Sequence, residues 1–270
     1  MKKGYYKCWV CNRKGWIARL IKKFGTPAQL HEWNELTGRV DITEFDDFFS
    51  EEKESEEQIV KLPEEFVSLA NNNLSLTAGI PRKYLQKRDI TRFDILKWKI
   101  GYCPSGQYAN RIIIPSVGIS GYVNYFVART YNNDWRKYLN PAVSKNIIFN
   151  HLSIDWEEPV TIVEGVFDAI IAGSNAVPIL GSALNEDSAL FQEIVTNDTP
   201  VYIALDRDAK KKENRLIEKF LEYGIEIYKI DTTAYDDVGA MPKANFLHLK
   251  KKATLINSDN YLLYRTLSSL

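Results

Sequence analysis

Cysteine is scarce in this chain, with three in 270 residues. So few thiols, in odd number, do not build a disulfide framework, and a reducing cytoplasm is the natural setting. Long apolar runs are missing too. No stretch approaches the ~20 residues of a membrane span, and the Lys-rich start lacks the apolar segment of a signal peptide. A membrane partner is therefore not expected. There is no internal repeat and no net charge, with 35 Lys+Arg against 35 Asp+Glu. What is present is ordinary for a globular protein, 45% hydrophobic and 26% charged residues. The length suffices for one large domain or two modest ones.

The zero net charge hides a segregation. In residues 1–39, Lys2, Lys3, Lys7, Arg13, Lys14, Arg19, Lys22, Lys23 and Arg39 face only Glu32 and Glu35. Between Arg82 and Lys145 twelve Lys/Arg residues are opposed by Asp89, Asp94 and Asp134 alone. The balancing acid is concentrated between Asp41 and Glu57. Two basic blocks around an acidic strip suggest a polyanion partner, although scattered solvated faces give the same count.

Texture divides the chain further. Residues 1–39 form a small module, with apolar positions Ile17, Leu20, Ile21, Phe24, Leu30, Trp33 and Leu36 on two short helices around Gly25-Thr26-Pro27. Residues 40–61 are too charged to bury much and read as an acidic linker. Residues 62–157 begin helical and turn to strands after Asn110, in a smaller, basic, mixed α+β subdomain. From 158 to 245, strands VTIVEG, AVPILG, VYIALD and IEIYKI alternate with helical segments. That alternation predicts an α/β fold, a parallel sheet flanked by helices. Residues 246–270 read as a C-terminal tail with one final helix or strand.

The chemistry-bearing residues stand where these strands end. Val160-Thr161-Ile162-Val163 runs into Glu164-Gly165-Val166-Phe167-Asp168, and Val201-Tyr202-Ile203-Ala204-Leu205 into Asp206-Arg207-Asp208. A carboxylate after a buried strand lies at its carboxyl end, where open α/β sheets place their ligands. Several carboxylates converging there repel one another unless a cation lies between them. An all-oxygen site of this kind suits Mg²⁺ or Mn²⁺, held by a few carboxylates and substrate phosphates. Glu164 and Asp168, four apart across a strand-to-helix turn, can face one cleft. Asp206 and Asp208 point one way if the strand conformation persists. Asp236 and Asp237 offer a further carboxylate, with Asp236 taken as the ligand. The plainer reading has each acid capping the helix that follows. One acid fits that reading; two pairs at the ends of two strands in one sheet favour a metal.

These motifs resemble the Toprim domain, a Rossmann-like fold shared by bacterial and phage DNA primases, topoisomerases and some nucleases. Leu180-Gly181-Ser182-Ala183-Leu184 is similar to the segment that separates the two acidic motifs in primases. Upstream, Tyr84-Leu85-Gln86-Lys87-Arg88-Asp89-Ile90 and Ile100-Gly101-Tyr102 resemble primase patterns. So do Asn110-Arg111-Ile112-Ile113-Ile114-Pro115, Ala128-Arg129-Thr130 and Lys137-Tyr138-Leu139-Asn140. The resemblance covers most of residues 62–240, in the correct order. It implies that Glu164, Asp168, Asp206 and Asp208 are catalytic and hold Mg²⁺ ions that bridge nucleotide phosphates. It implies that Arg111, Arg129, Lys137 and, by a weaker match, Lys145 bind template backbone or incoming triphosphate.

Tyr6-Lys7-Cys8-Trp9-Val10-Cys11 before Lys14-Gly15 resembles the second knuckle of the primase zinc ribbon. Structural Zn²⁺ needs four ligands, and Cys8 and Cys11 supply two. A ribbon without metal, ligands from another chain, and a missing upstream segment all remain open. The resemblance leads to a DNA primase that makes short RNA primers from ribonucleoside triphosphates on single-stranded DNA. A replicative helicase is the further partner it implies. A Toprim-type DNA nuclease and a non-catalytic single-stranded-DNA-binding fragment are the alternatives.

Overall fold

The computed structural model describes residues 5–7, 9, 14–37, 57–181, 184–235, 237–257 and 260–268. At the start, β1 (Tyr5–Lys7) and β2 (Lys14–Trp16) form an antiparallel hairpin. Two helices follow, α1 (Ile17–Phe24) and α2 (Pro27–Thr37). Thr26 caps α2 reciprocally, since Gln29 N–H donates to Thr26 Oγ1 at 3.3 Å and Thr26 N–H to Gln29 Oε1 at 2.8 Å.

The second unit is an antiparallel sheet in the order β3 (Val67–Ser68), β4 (Gly101–Cys103), β5 (Arg111–Val117), β6 (Val123–Thr130). Helices α3 (Gly79–Gln86) and α4 (Arg92–Lys97) lie between β3 and β4 in sequence. Strand β5 is buried along its whole length because both faces are covered. One face carries Ile112 and Ile114 into the large core, the other carries Ile113 beside Cys103, Phe126 and Ala128. Cys103 is thus a core residue, and burial pushes its thiol up to about 12. Residues 57–61, counted with the acidic linker, lie along this sheet. Glu57 accepts from Ile119 N–H, Ser120 N–H and Asn124 Nδ2 at 3.0–3.1 Å. Gly118 permits the nest, since a Cβ there would meet Glu57 Oε1 at 1.5 Å.

The third unit is a five-stranded sheet, in the order β11 (Thr254–Ile256), β10 (Ile227–Lys229), β9 (Val201–Ala204), β7 (Val160–Val163), β8 (Ala176–Pro178). The four strands expected from sequence are parallel, and β11 joins the edge antiparallel to β10. Helices α5 (Val166–Ala172) and α8 (Lys243–Lys251) lie on one side, with Ala169, Ile170 and Phe246 in the large core. Helices α6 (Ala189–Thr196), α7 (Lys210–Glu222) and α9 (Tyr261–Ser268) contribute to the core of the other side. The chain leaves β7 for β8 on one flank and returns to β9 on the other. The strand order therefore reverses between β7 and β9, the crevice where doubly wound sheets bind ligands. Among the described residues no helix is long and apolar enough to cross a membrane.

The antiparallel and parallel units share one core, running from Leu85 and Ile112 through Phe149 to Phe167 and Phe246. A polar tie reinforces it at the start of α8. Lys243 N–H donates to Asp89 Oδ2 at 2.9 Å, and Lys243 Nζ donates to Asp94 Oδ2. Asp94 also closes the capping box of α4, accepting from Thr91 N–H at 2.7 Å. Burial works to raise the Asp94 pKa, but the hydrogen bonds from Lys243 and Thr91 outweigh it and hold it low. A depressed carboxyl contributes stability above its unfolded pKa of about 3.9, lost as pH falls through the folded value. Asp94→Asn should destabilise by about 1–3 kcal/mol at pH 7. It should also flatten the acid limb of a urea-unfolding series; an unchanged midpoint and acid limb would exclude the tie.

Candidate active site between the two sheets

Three carboxylates meet at the reversal of strand order. Asp168, Asp206 and Asp237 each bring one carboxylate oxygen within 4.8 Å of the others. Their positions follow from local folding. Asp206 stands two residues beyond β9, and Asp168 lies in the first turn of α5. There Asp168 accepts from Gly165 N–H at 2.7 Å. Asp237 begins a short 3₁₀ turn, Val238–Ala240, and accepts from Gly239 N–H at 2.6 Å. Asp168 is 6% exposed. Its burial, then the hydrogen bond and charge of Asp237 and the charge of Asp206, raise its pKa well above the usual carboxylate range. Gly239 is required by this crowding. A Cβ there would lie 2.6 Å from Asp168 Oδ1 and 3.1 Å from Asp237 Oδ1.

The acids line a cleft of about 440 Å³, and its other wall is basic. Glu164, half-buried directly after β7, lines the same cleft and pairs with Lys212 at 3.7 Å. Arg129 comes from the last turn-ward residues of β6. The segment after it folds back along β6, with Thr130 N–H donating to Lys137 O at 3.1 Å and Leu139 N–H to Ala128 O at 3.0 Å. This return places Lys137, Tyr138 and Asn140 on the cleft, and Lys145 follows. The guanidiniums of Arg129 and Arg88 lie 5.8 and 5.1 Å from the centre of the buried Phe167 ring. Arg129 Nη1 also donates to Tyr138 Oη at 2.6 Å, and Arg88 Nη1 to Gly239 O at 3.3 Å. Cation–π contact in a partly desolvated site contributes about 1–2 kcal/mol each. Leu180 and Gly181 close one end in left-handed backbone, at φ 54° and 74°.

One expected residue stands elsewhere. Arg111 does not line the cleft. It is 4% exposed, with Nη2 on Asp134 Oδ2 at 2.6 Å and Nη1 on Arg136 O at 2.9 Å. An arginine opening a strand buried on both faces must find its acceptors inside the protein. The strand does not persist to Asp208 either: β9 ends at Ala204 and Arg207–Ala209 form a 3₁₀ turn. The side chain of Asp208, all of Asp236, and the zinc candidates Cys8 and Cys11 lie outside the described residues. Among the described residues the third carboxylate of the cluster is Asp237. Arg88 and Asn140 also line the cleft without having been singled out as site residues. The quoted motifs contain both, which is the signal that was available for them.

Comparison with known proteins separates sequence from fold. No family model matches the chain, and no curated protein sequence does. Solved structures do match. One is a DnaG primase catalytic domain bound to single-stranded DNA, at TM-score 0.58 and 18% identity over 73% of this chain and 78% of that one. Another is the E. coli primase catalytic core, at TM-score 0.58 and 18% identity over 73% and 79%. A third is an Aquifex aeolicus primase comprising zinc-binding and RNA polymerase domains, at TM-score 0.56 and 19% identity over 98% and 79%.

The fold is that of a primase catalytic core. In this primase-like fold the antiparallel unit supplies the basic wall and the parallel unit the acidic one. The donor set of the acidic wall is all oxygen, and the crowding of its charges fits a hard divalent cation.

The raised Asp168 pKa gives that fit a test. A carboxyl with a raised folded-state pKa binds its proton more tightly folded than unfolded. Stability then falls as pH climbs from the ordinary carboxylate range through the raised value. The cation-free protein should melt at a higher temperature near pH 5 than near pH 8. Mg²⁺ or Mn²⁺ at about a hundredfold excess over Kd should restore about 2–3 kcal/mol at pH 8. Asp237→Asn should raise the cation-free melting temperature at pH 8 and abolish the gain from either ion. Melting curves indifferent to both ions at every pH would sink the site.

Proposed function

We propose that this chain is the catalytic core of a DNA primase, joining ribonucleotides along a single-stranded DNA template. The observation that carries the reading is one cleft lined by both the acidic cluster Asp168, Asp206 and Asp237 and the cations Arg88, Arg129, Lys137 and Lys145. Acids and cations lining one cleft suit a phosphate-rich substrate held against a divalent cation. In this reading the parallel sheet is a Toprim domain, and Asp168, Asp206 and Asp237 hold Mg²⁺ or Mn²⁺. Glu164 lines the same cleft, and Asp208 shares the sequence motif of Asp206, with its side chain outside the described residues. When bound, the cation supplies charge that neutralises developing phosphate oxygens.

The protein's own groups do the rest. Arg88 and Arg129, fixed against Phe167, present planar guanidiniums that can take two phosphate oxygens at once. Lys137 and Lys145 act as point charges along a backbone and read no base. The likeness to a primase catalytic domain bound to single-stranded DNA supports a nucleic-acid template.

Incorporation of labelled ribonucleotides on a single strand, with Mg²⁺ or Mn²⁺, tests the assignment. Asp206→Ala should lower incorporation by about 10²–10³-fold or more while single-strand binding is kept. Cleavage of the strand in place of synthesis would assign the site to a nuclease. Binding without incorporation by the intact protein would leave a binding module only.

A further inference from the structure

The loop between β6 and the cleft carries a feature that nucleotide joining does not use. Trp135 is 84% exposed, a large indole left in solvent. The loop that displays it is firmly built. Buried Arg111 holds Asp134 Oδ2 at 2.6 Å and the Arg136 carbonyl at 2.9 Å from beneath. Asp134 Oδ1 accepts from Arg136 N–H at 2.9 Å, and Thr130 Oγ1 accepts from Asn132 N–H at 3.2 Å. The Arg136 guanidinium lies 4.9 Å from the centre of the indole and covers one face, so the exposed area is the opposite face and the edges.

We infer that Trp135 is a stacking platform for one unpaired base of a single-stranded nucleic acid entering the cleft. Its direction into the cleft rests on the function proposed above; the stacking rests on the loop. Charge favours this occupant. The loop's one carboxylate, Asp134, is engaged by Arg111, which leaves Arg136 and Lys137 for phosphates. The chain then continues from the platform directly onto the cleft wall at Lys137 and Tyr138. A rigid indole flanked by cations binds any base through its π face, without sequence preference. Arg111 thereby acquires a role, as a positioning residue that holds the platform from below.

Fluorescence anisotropy of a short labelled DNA single strand with the full chain tests this. Trp135→Ala should weaken binding by about 5–100-fold, the range of one base–aromatic stack, with an unchanged melting temperature. Trp135→Phe should retain most of the affinity. The salt slope of Trp135→Ala should equal that of the wild type, whereas Lys137→Ala should reduce it by about 0.7. On a strand of abasic sugar-phosphate units, Trp135→Ala should cost nothing. Wild-type affinity in Trp135→Ala, or an equal loss on the abasic strand, overturns the platform. A wild type that binds but never polymerises refutes primer synthesis and leaves the platform standing. A wild type that polymerises while Trp135→Ala binds equally well refutes the platform alone.

Discussion

Three carboxylates within 4.8 Å repel one another, and much of the surrounding structure makes that repulsion tolerable. Burial deepens the problem, because a partly dry site screens charge poorly. Burial and the neighbouring acids raise the Asp168 pKa, which makes a proton on it easier to hold and so lessens the repulsion. Arg88 and Arg129, stacked over Phe167 on the same cleft, add positive charge to it. Gly239 gives the acids the space that any side chain would fill. The reversal of strand order between β7 and β9 opens the crevice in which the acids meet.

The basic wall depends on how few acids its block contains and where they are engaged. Asp89 and Asp94 receive the two nitrogens of Lys243 and join the units of the core. Asp134 receives Arg111. All three acids between Arg82 and Lys145 thus hold the framework, and none lines the cleft. A charge segregation visible as a simple count becomes, in three dimensions, a wall with its positive charge left for an outside partner.

How much of this was legible depended on whether local sequence carried the constraint. The four parallel strands and the acids after β7 and β9 were readable, because burial on both faces writes continuous apolar runs that end at the ligand side. Strand β11 was not, since a three-residue edge strand with half-exposed positions has no such run. Asp237 and Asp236 are equivalent in sequence; Asp237 reaches the cluster through the turn that brings Gly239 against Asp168, and Asp236 lies outside the described residues. Arg111 and Arg129 both open or close strands among apolar residues. Which one faces the cleft is decided by Asp134, twenty-three residues along from Arg111, a pairing that no periodicity records.

Capping and metal binding, set against each other as readings of these acids, turn out to be compatible. Asp168 Oδ2 takes the Gly165 N–H at 2.7 Å, and Asp237 Oδ1 takes the Gly239 N–H at 2.6 Å. Each cap fixes its carboxylate by one oxygen and so fixes the direction of the other. Two of the three acids are therefore ordered by backbone before any cation arrives. A cation then meets a preformed arrangement and does not have to gather loose side chains, whose ordering costs about 0.5–1.5 kcal/mol apiece. The first turn of α5 and the 3₁₀ turn at Val238–Ala240 thus do two jobs with the same residues. Asp168→Asn tests the separation directly, because the amide keeps the capping acceptor and removes the charge that a cation requires.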